Sequence, residues 1–351
     1  MTANQFDFYS RTEYFDALVS RIDSTKRGDR VAVATMTLDA RPPLVMQLIQ
    51  SLTAAAGRGA EVYLAVDAYT FLSREDSFIP GPLWRHRTIP QNLPEPYATQ
   101  LTCLQTLAEH GGHYTITNMP ARRFSVPPKG RSHIKGAVVN DYLYIGGCNL
   151  ESPQDIDIMI GQTNLKAADW IYEWFTTMVK TGSTKRTFGG HDQSLHLANA
   201  VDLLIDSGVP KQSIIYDQAM QLIDTAEQGI FFTCQYFPGG KTAQHLLAAH
   251  KRGVQVRIVF SHPHRHGKKA LAHHAYNARE RLRLPAEFFA YRQPKYAPRL
   301  HAKVIATEKG AIVGSNNYVT QGVLLGTAEI AMRYDDPSFA RQVIQKIESQ
   351  L

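Results

Sequence analysis

Two histidines and two lysines recur in one short pattern at distant points of the 351-residue chain: His133-Ile134-Lys135 and His301-Ala302-Lys303. Each is followed, at nearly the same distance, by a glycine-led stretch ending in asparagine, Gly146-Gly147-Cys148-Asn149 and Gly314-Ser315-Asn316-Asn317. A neutral imidazole is a nucleophile or base, an imidazolium is a proton donor, and ammonium and amide groups stabilise a nearby anion. Breaking a phosphodiester needs all of these together: an attacking group, a proton for the leaving alkoxide, and fixed positive charge around the non-bridging oxygens. One His-x-Lys carries no signal, because such a triplet arises by chance and a strand histidine is usually structural. Two copies with the same sequel, each at the same place in a repeat, point to one composite site.

These residues need elements to hold them. Alternation along Leu300-His301-Ala302-Lys303-Val304-Ile305-Ala306-Thr307 predicts a strand with His301 and Lys303 on one face, a turn at Glu308-Lys309-Gly310 and a return strand through Ala311-Ile312-Val313. The first copy reads alike: Ala137-Val138-Val139, a turn at Asn140-Asp141, then Tyr142-Leu143-Tyr144-Ile145. Upstream the chain repeats itself again. Leu48 to Val62 and Gln244 to Val256 each form an amphipathic helical pattern that ends at Arg-Gly, where glycine supplies the cap, before a short apolar strand. Ahead of these lie the strands Val31 to Met36 and Ile230 to Cys234, each preceded by a helix, the first carrying Phe15, Leu18, Val19 and Ile22, the second Ala219, Leu222 and Ile223.

Strands alternating with helices predict an α/β fold of two similar α/β/α sandwich halves, each with a largely parallel sheet covered by helices on both faces. The polar, basic stretch Lys180 to Gly190 suits the connection between them. The expected division is therefore 1–185 and 186–351.

Read together, these motifs resemble the phospholipase D superfamily, whose signature is His-x-Lys, four residues, Asp, then Gly-Ser-x-Asn, twice per active site. The resemblance spans essentially the whole chain, and the helix-Arg-Gly-strand segments look like those of bacterial cardiolipin synthases. It implies the pseudo-twofold phospholipase D fold, with His133, Lys135, Asn149, His301, Lys303 and Asn317 meeting at the interface of the halves. It also implies metal-independent chemistry through a phosphohistidine, with His133 attacking and His301 acting as acid. Two departures stand out: the motif Asp is Asn140 in one copy and Glu308 in the other, and the first Gly-Ser is Gly146-Gly147. A turn-forming Asn is reasonable at Asn140. The missing hydroxyl at Gly147 would reduce activity or shift the role of that small residue to Ser315 and Cys148.

A neutral imidazole tautomer is held by an acceptor on its other nitrogen, ordinarily a carboxylate. Glu329 and Asp155 occupy matching strand starts after the asparagines, and Asp157 shares the face of Asp155 as an alternative. Gly147 and Ser315 are expected beside the substrate, as is His264 in the basic tract His262-Pro263-His264-Arg265-His266-Gly267-Lys268-Lys269, which follows a strand at the edge where open α/β folds bind ligands. The alternating histidines also resemble a metal tract, but no cysteine or acid is near, so no metal and no cofactor is expected. Arg122-Arg123 and Lys129-Gly130-Arg131 add positive charge just before His133.

Composition narrows the partners. The 38 Lys and Arg against 31 Asp and Glu give a net charge of +7, which favours a polyanion or an anionic surface. Cys103, Cys148 and Cys234 lack metal spacing and are expected as buried free thiols. The N-terminus has no signal-peptide pattern, and no window reaches about 18 uninterrupted apolar residues, so a cytoplasmic protein, at most peripheral on a membrane, is expected. The proline-rich stretch 73–97 reads as a packed surface loop or as a loop over the site touching lipid through its aromatics.

The leading expectation is phosphatidyl transfer or phospholipase D hydrolysis on a phospholipid at an anionic membrane surface, with no obligate protein partner. The alternative is a nuclease or DNA-end phosphodiesterase, for which no basic stripe with interleaved aromatics is evident. Retention of both His-Lys pairs argues against a silent scaffold.

Overall fold

The computed structural model describes residues 6–72, 81–84, 86–121, 129–151, 155–197, 200–260, 268–289 and 299–351. Arg122-Arg123, the tract from His262 to Gly267 with His264, and residues 73–80 of the proline-rich stretch lie outside the described residues.

The first sheet is built from β1 (Asp7–Tyr9), α1 (Arg11–Asp23), β2 (Arg30–Thr35), α2 (Pro43–Gly57), β3 (Glu61–Asp67), the single turn α3 (Tyr69–Leu72), α4 (Tyr97–Glu109), β4 (His113–Thr117), β5 (Gly136–Val139), β6 (Tyr142–Gly146), β7 (Met159–Thr163) and α5 (Leu165–Thr181). A short helix, α6 (Thr184–Thr187), leads to the second: β8 (Gln193–Leu197), β9 (Val201–Ser207), α7 (Ile214–Thr225), β10 (Gly229–Thr233), α8 (Gly240–Lys251), β11 (Gln255–Val259), α9 (Lys268–Arg281), β12 (Val304–Thr307), β13 (Gly310–Gly314), α10 (Thr320–Leu325), β14 (Ala328–Tyr334) and α11 (Pro337–Glu348).

The strand orders are β1-β7-β6-β5-β2-β3-β4 and β11-β10-β12-β13-β14-β9-β8. Six strands correspond across the sheets, with β4 added at one edge of the first and β8 at the opposite edge of the second. The expectation of largely parallel sheets is corrected: among the described residues the strand pairs β2-β3, β3-β4 and β10-β11 are parallel, and the other pairs of these strands are antiparallel. The helix-linked strands make the parallel pairs, as crossovers must. The hairpins that follow each His-x-Lys add antiparallel strands, because a tight turn reverses the chain.

The repeats read from sequence appear as matching structure. Arg58 and Arg252 follow α2 and α8, and each sends a guanidinium back to the end of the preceding helix, to the carbonyl of Ile22 at 2.9 Å and of Ile223 at 3.1 Å. Gly59 and Gly253 then turn with φ of +88° and +91°, a region that costs a glycine nothing. On the outer faces, α1 and α2 cover the first sheet through Phe15, Leu18, Leu48 and Leu52, and α7 and α8 cover the second through Ile215, Ile223 and Leu246. The inner faces share one core, in which Ile171 and Phe175 of α5 and Phe339 and Val343 of α11 pack with Val138, Ile145, Ile205 and Val304. Gly136 permits this closeness beside Lys135, since a Cβ there would lie 2.8 Å from the Tyr144 carbonyl and 3.3 Å from the Phe175 ring.

All three cysteines are free; Cys148 and Cys234 are buried and Cys103 is half-buried. The described part of the 73–97 stretch packs Leu83 and Tyr97 against Ala68, Phe71 and Leu72. Among the described residues, no helix is long and apolar enough to cross a membrane.

Candidate active site

The hydrogen-bonded strands β5 and β12 begin only after each lysine. The His-x-Lys segments are extended lead-ins, and each pairs with the opposite half. Ser132 bridges Ala328 in parallel, with the His133 amide donating to the Ala328 carbonyl at 2.7 Å. Leu300 bridges Ile156 in parallel, with the His301 amide donating to the Ile156 carbonyl at 2.8 Å. This exchange sets the chemistry, because the residue after each bridge is a carboxylate supplied by the other half.

His133 Nδ1 thus lies 2.8 Å from Oε2 of Glu329, and His301 Nδ1 lies 2.7 Å from Oδ2 of Asp157. A carboxylate on Nδ1 favours the tautomer with its proton there, which leaves Nε2 for chemistry. Asp155 does not take this place. It binds Arg299, whose Nε is 3.1 Å from Oδ1, and lies 3.7 Å from Arg11. The expectation of Asp155 as the imidazole partner is corrected to Asp157, the alternative on the same face: Ile156 is the bridged residue, so its successor matches Glu329.

Lys135 and Lys303 are fully buried, and each ammonium turns back onto the carbonyl of its own histidine, Lys135 at 2.8 Å. Burial pulls Lys135 down to about 7, with Lys303 adding to the effect and Glu329 opposing it. Burial lowers Lys303 as well. For His133, burial lowers the imidazole below 6.5, Glu329 opposes this, and Lys135 and Lys303 reinforce it. His301 falls well below 6.5, from burial first and then from Lys303 and Arg299. Charges from both halves act on one another across this short range, so the two motifs form a single cluster. Burial would raise Glu329, but His133, Lys135 and the Ser315 hydroxyl outweigh it and hold the carboxyl below its usual value. The site disfavours its own positive charges until an anion enters.

The substitutions that depart from the family pattern have physical explanations. The Ser315 hydroxyl donates to Glu329 at 2.5 Å. At the matching position in the first half a Cβ on Gly147 would lie 2.1 Å from Oδ1 of Asp157, so no serine fits. Arg11, 1% exposed, stands in: it donates to Asp157 at 3.0 Å and to the Asn149 carbonyl at 3.2 Å. Arg11, rather than Cys148, supplies the missing hydrogen bond. Asn140 and Glu308 lie at the far ends of the hairpins. Asn140, at φ +55°, accepts from the Arg30 amide at 3.0 Å, and Glu308 accepts from the amides of Glu227, Gln228 and Gly229. Both tie a turn to the start of the neighbouring strand.

The asparagines follow. The Asn149 amide donates to Glu151 at 3.1 Å, and its Oδ1 is buried with no hydrogen-bond partner among the described residues. Asn317 is half-buried, and its carbonyl accepts from the Cys234 thiol at 2.7 Å.

Sequence reasoning missed Arg11, whose isolated position gives no signal. It noted Arg131 only as positive charge before His133 and missed the symmetry: an arginine stands two residues before each histidine, Arg131 and Arg299. Arg131 reaches Asp67 at 3.5 Å and the Asn118 carbonyl at 2.9 Å, and Asp67 also accepts from the Ser132 amide at 2.7 Å. Asp67 therefore clamps the approach to His133, as Asp155 clamps the approach to His301.

Residues 219–351 match the family described as "Cardiolipin synthase, PLD-like domain". Among solved structures, the chain is similar to a phosphatidylserine synthase from Haemophilus influenzae Rd KW20, with a TM-score of 0.74 at 13% identity, covering 100% of this chain and 86% of that one. It is also similar to a polyphosphate kinase from Porphyromonas gingivalis, with a TM-score of 0.57 at 11% identity, covering 99% of this chain and 47% of that one. At these identities the likeness is one of fold. No curated protein sequence matches the chain.

Proposed function

We propose that the chain is a phospholipase D superfamily protein that cleaves or transfers a phospholipid phosphodiester through a phosphohistidine, a reading supported by the family match over residues 219–351 and by the likeness of fold. Phosphatidyl transfer of the cardiolipin synthase type, or phospholipase D hydrolysis, is the reading best supported. The observation that carries it is the pair of buried histidines, each backed by a carboxylate from the opposite half and flanked by a buried lysine. The description of the matching family points to a lipid substrate.

In this mechanism the anionic diester enters between Lys135 and Lys303, whose ammonium groups hold the non-bridging oxygens with Asn149 and Asn317. The attacking histidine must be free of a proton and the donor must carry one. Asp157 is shared between His301 and the hydrogen-bonded Arg11 guanidinium, whereas the hydrogen bond that Glu329 takes beside His133 comes from the neutral Ser315 hydroxyl. His301 is therefore the attacking group and His133 the acid, the reverse of the order that the resemblance implies. Nε2 of His301 bonds to phosphorus, the phosphorus–oxygen bond to the leaving alkoxide breaks, and that oxygen takes the proton from Nε2 of His133. His133 then removes a proton from an incoming alcohol or water, whose oxygen displaces His301 from phosphorus. Ser315 and Gly147 stand behind the carboxylates, so neither is placed against the substrate. The enzyme works peripherally at an anionic membrane surface.

Mass spectrometry of products after incubation with phosphatidylglycerol and phosphatidylethanolamine vesicles in EDTA tests the reading. Cardiolipin, phosphatidic acid or an exchanged headgroup is expected, and none of these with His301→Ala. Turnover of no phospholipid, with cleavage of labelled DNA or RNA, would transfer the same chemistry to a nucleic acid substrate.

A further inference from the structure

Between its asparagine and its carboxylate the first half has the residues 150–156, and the second half the longer run 318–328. The difference is about one helical turn, and it is where α10 (Thr320–Leu325) sits, a helix that buries none of its residues. Leu324 is 51% exposed, and Val323 and Leu325 are half-exposed. α10 is tethered beside the site at both ends, since Asn317 precedes it and Ala328, which pairs with the segment that leads into His133, follows it.

The contacts that hold α10 also decide its charge. The Lys211 amide donates to the Val323 carbonyl at 2.8 Å, and the Gly130 amide to the Leu325 carbonyl at 3.2 Å. Gly240 lies so close that a Cβ on it would come within 2.9 Å of Oγ1 of Thr320. The three contacts bring the segments that carry exposed Lys129, Lys211 and Lys241 against the backbone of α10, and these short segments bring no acidic residue. A scattered exposed leucine needs no explanation. An apolar tip with cation-bearing segments packed along it, beside a reactive site, matches the boundary of headgroup and acyl chain in an anionic bilayer, where lysines meet phosphates and leucines enter the hydrocarbon.

We infer that α10 with Lys129, Lys211 and Lys241 is a membrane-docking surface that sets the site's mouth against anionic phospholipid. The inference rests on the lipid reading above and names its point of contact. The surface is specific to the second half, because the first half's shorter run lacks the extra turn.

Sedimentation with vesicles of mixed phosphatidylglycerol and phosphatidylcholine, against phosphatidylcholine alone, tests it. Leu324→Asp is expected to lower partitioning at least about tenfold with unchanged thermal unfolding, and Lys211→Gln or Lys241→Gln roughly fivefold each at low salt. Leu165→Asp is the control: Leu165 is 60% exposed but follows Asn164, whose amide bonds the Asp141 carbonyl at the far end of the first hairpin. It should leave binding unchanged. The docking surface is overturned if wild type stays in the supernatant, if Leu324→Asp and both lysine variants bind as wild type does, or if Leu165→Asp loses as much. Turnover of dispersed short-chain phosphatidylglycerol separates the two failures. If wild type turns it over without sedimenting, docking fails alone; if Leu324-dependent sedimentation persists without phospholipid turnover, the lipid-enzyme reading fails alone.

Discussion

The two imidazole–carboxylate pairs occupy equivalent backbone positions but are supported by different chemistry. In one, a serine hydroxyl 2.5 Å from Glu329 completes the carboxylate behind His133. In the other, a glycine leaves room and a buried guanidinium 3.0 Å from Asp157 does the same behind His301. A hydroxyl donates to Glu329 without bringing a positive charge of its own. A guanidinium withdraws part of the charge of Asp157, and so makes His301 harder to protonate. A duplicated site has thus become two unequal groups, as a reaction needing one base and one acid requires.

The largest expected effect separates the two histidines outright. With a substrate carrying an activated leaving group, His133→Asn should accumulate a covalent phosphoryl enzyme, seen as an added mass that acid removes and base does not, while His301→Asn forms none. A stable adduct in His301→Asn alone would restore the opposite order.

The supports come next. Arg11→Met leaves Asp157 without its buried guanidinium partner, which should destabilise the fold by about 3–5 kcal/mol and move the acid limb of the kcat/KM profile to higher pH as His301 gains basicity. Gly147→Ser drives a side chain into Asp157 and should lower kcat on the order of a hundredfold, whereas Ser315→Ala should cost about tenfold and leave the acid limb in place. Equal effects of Gly147→Ser and Ser315→Ala would show that the halves tolerate the same support.

The pH dependence of stability is a smaller effect. Both imidazoles hold protons more weakly in the folded chain than at the ordinary 6.5. The unfolded chain therefore gains more protons as pH falls below that value, and stability is lost there. Lys135, at about 7 folded against 10.5 unfolded, acts in the same direction between those values. The melting temperature should rise from neutral to mildly alkaline pH, and Lys135→Met should flatten that rise; a parallel slope in the variant would remove Lys135 as its source. The smallest expected effect lies at the turns: Glu308→Gln weakens acceptance from three amides and should cost about 1 kcal/mol or less with activity intact.

Local pattern made much of this legible. The doubled His-x-Lys, the hairpins and the helix-Arg-Gly-strand repeats are written within windows of a few to fifteen residues, where periodicity and capping act. Those windows located His133, Lys135, Asn149, His301, Lys303 and Asn317, and the carboxylate Glu329. They also suggested sheets more parallel than the ones formed, because a helical crossover is a stronger local signal than the antiparallel return of a hairpin.

The choice between Asp155 and Asp157 had no local answer. Both point to the same face, and the parallel bridge of Ile156 to Leu300 sets which one meets His301. Arg11 was likewise illegible, since it reaches Asp157 across 146 residues of sequence. Hydrogen-bond register between distant segments and the room left by a missing Cβ are properties of packing. They exist only once the two halves have closed on one another, and so they determined how a repeated motif became an asymmetric site.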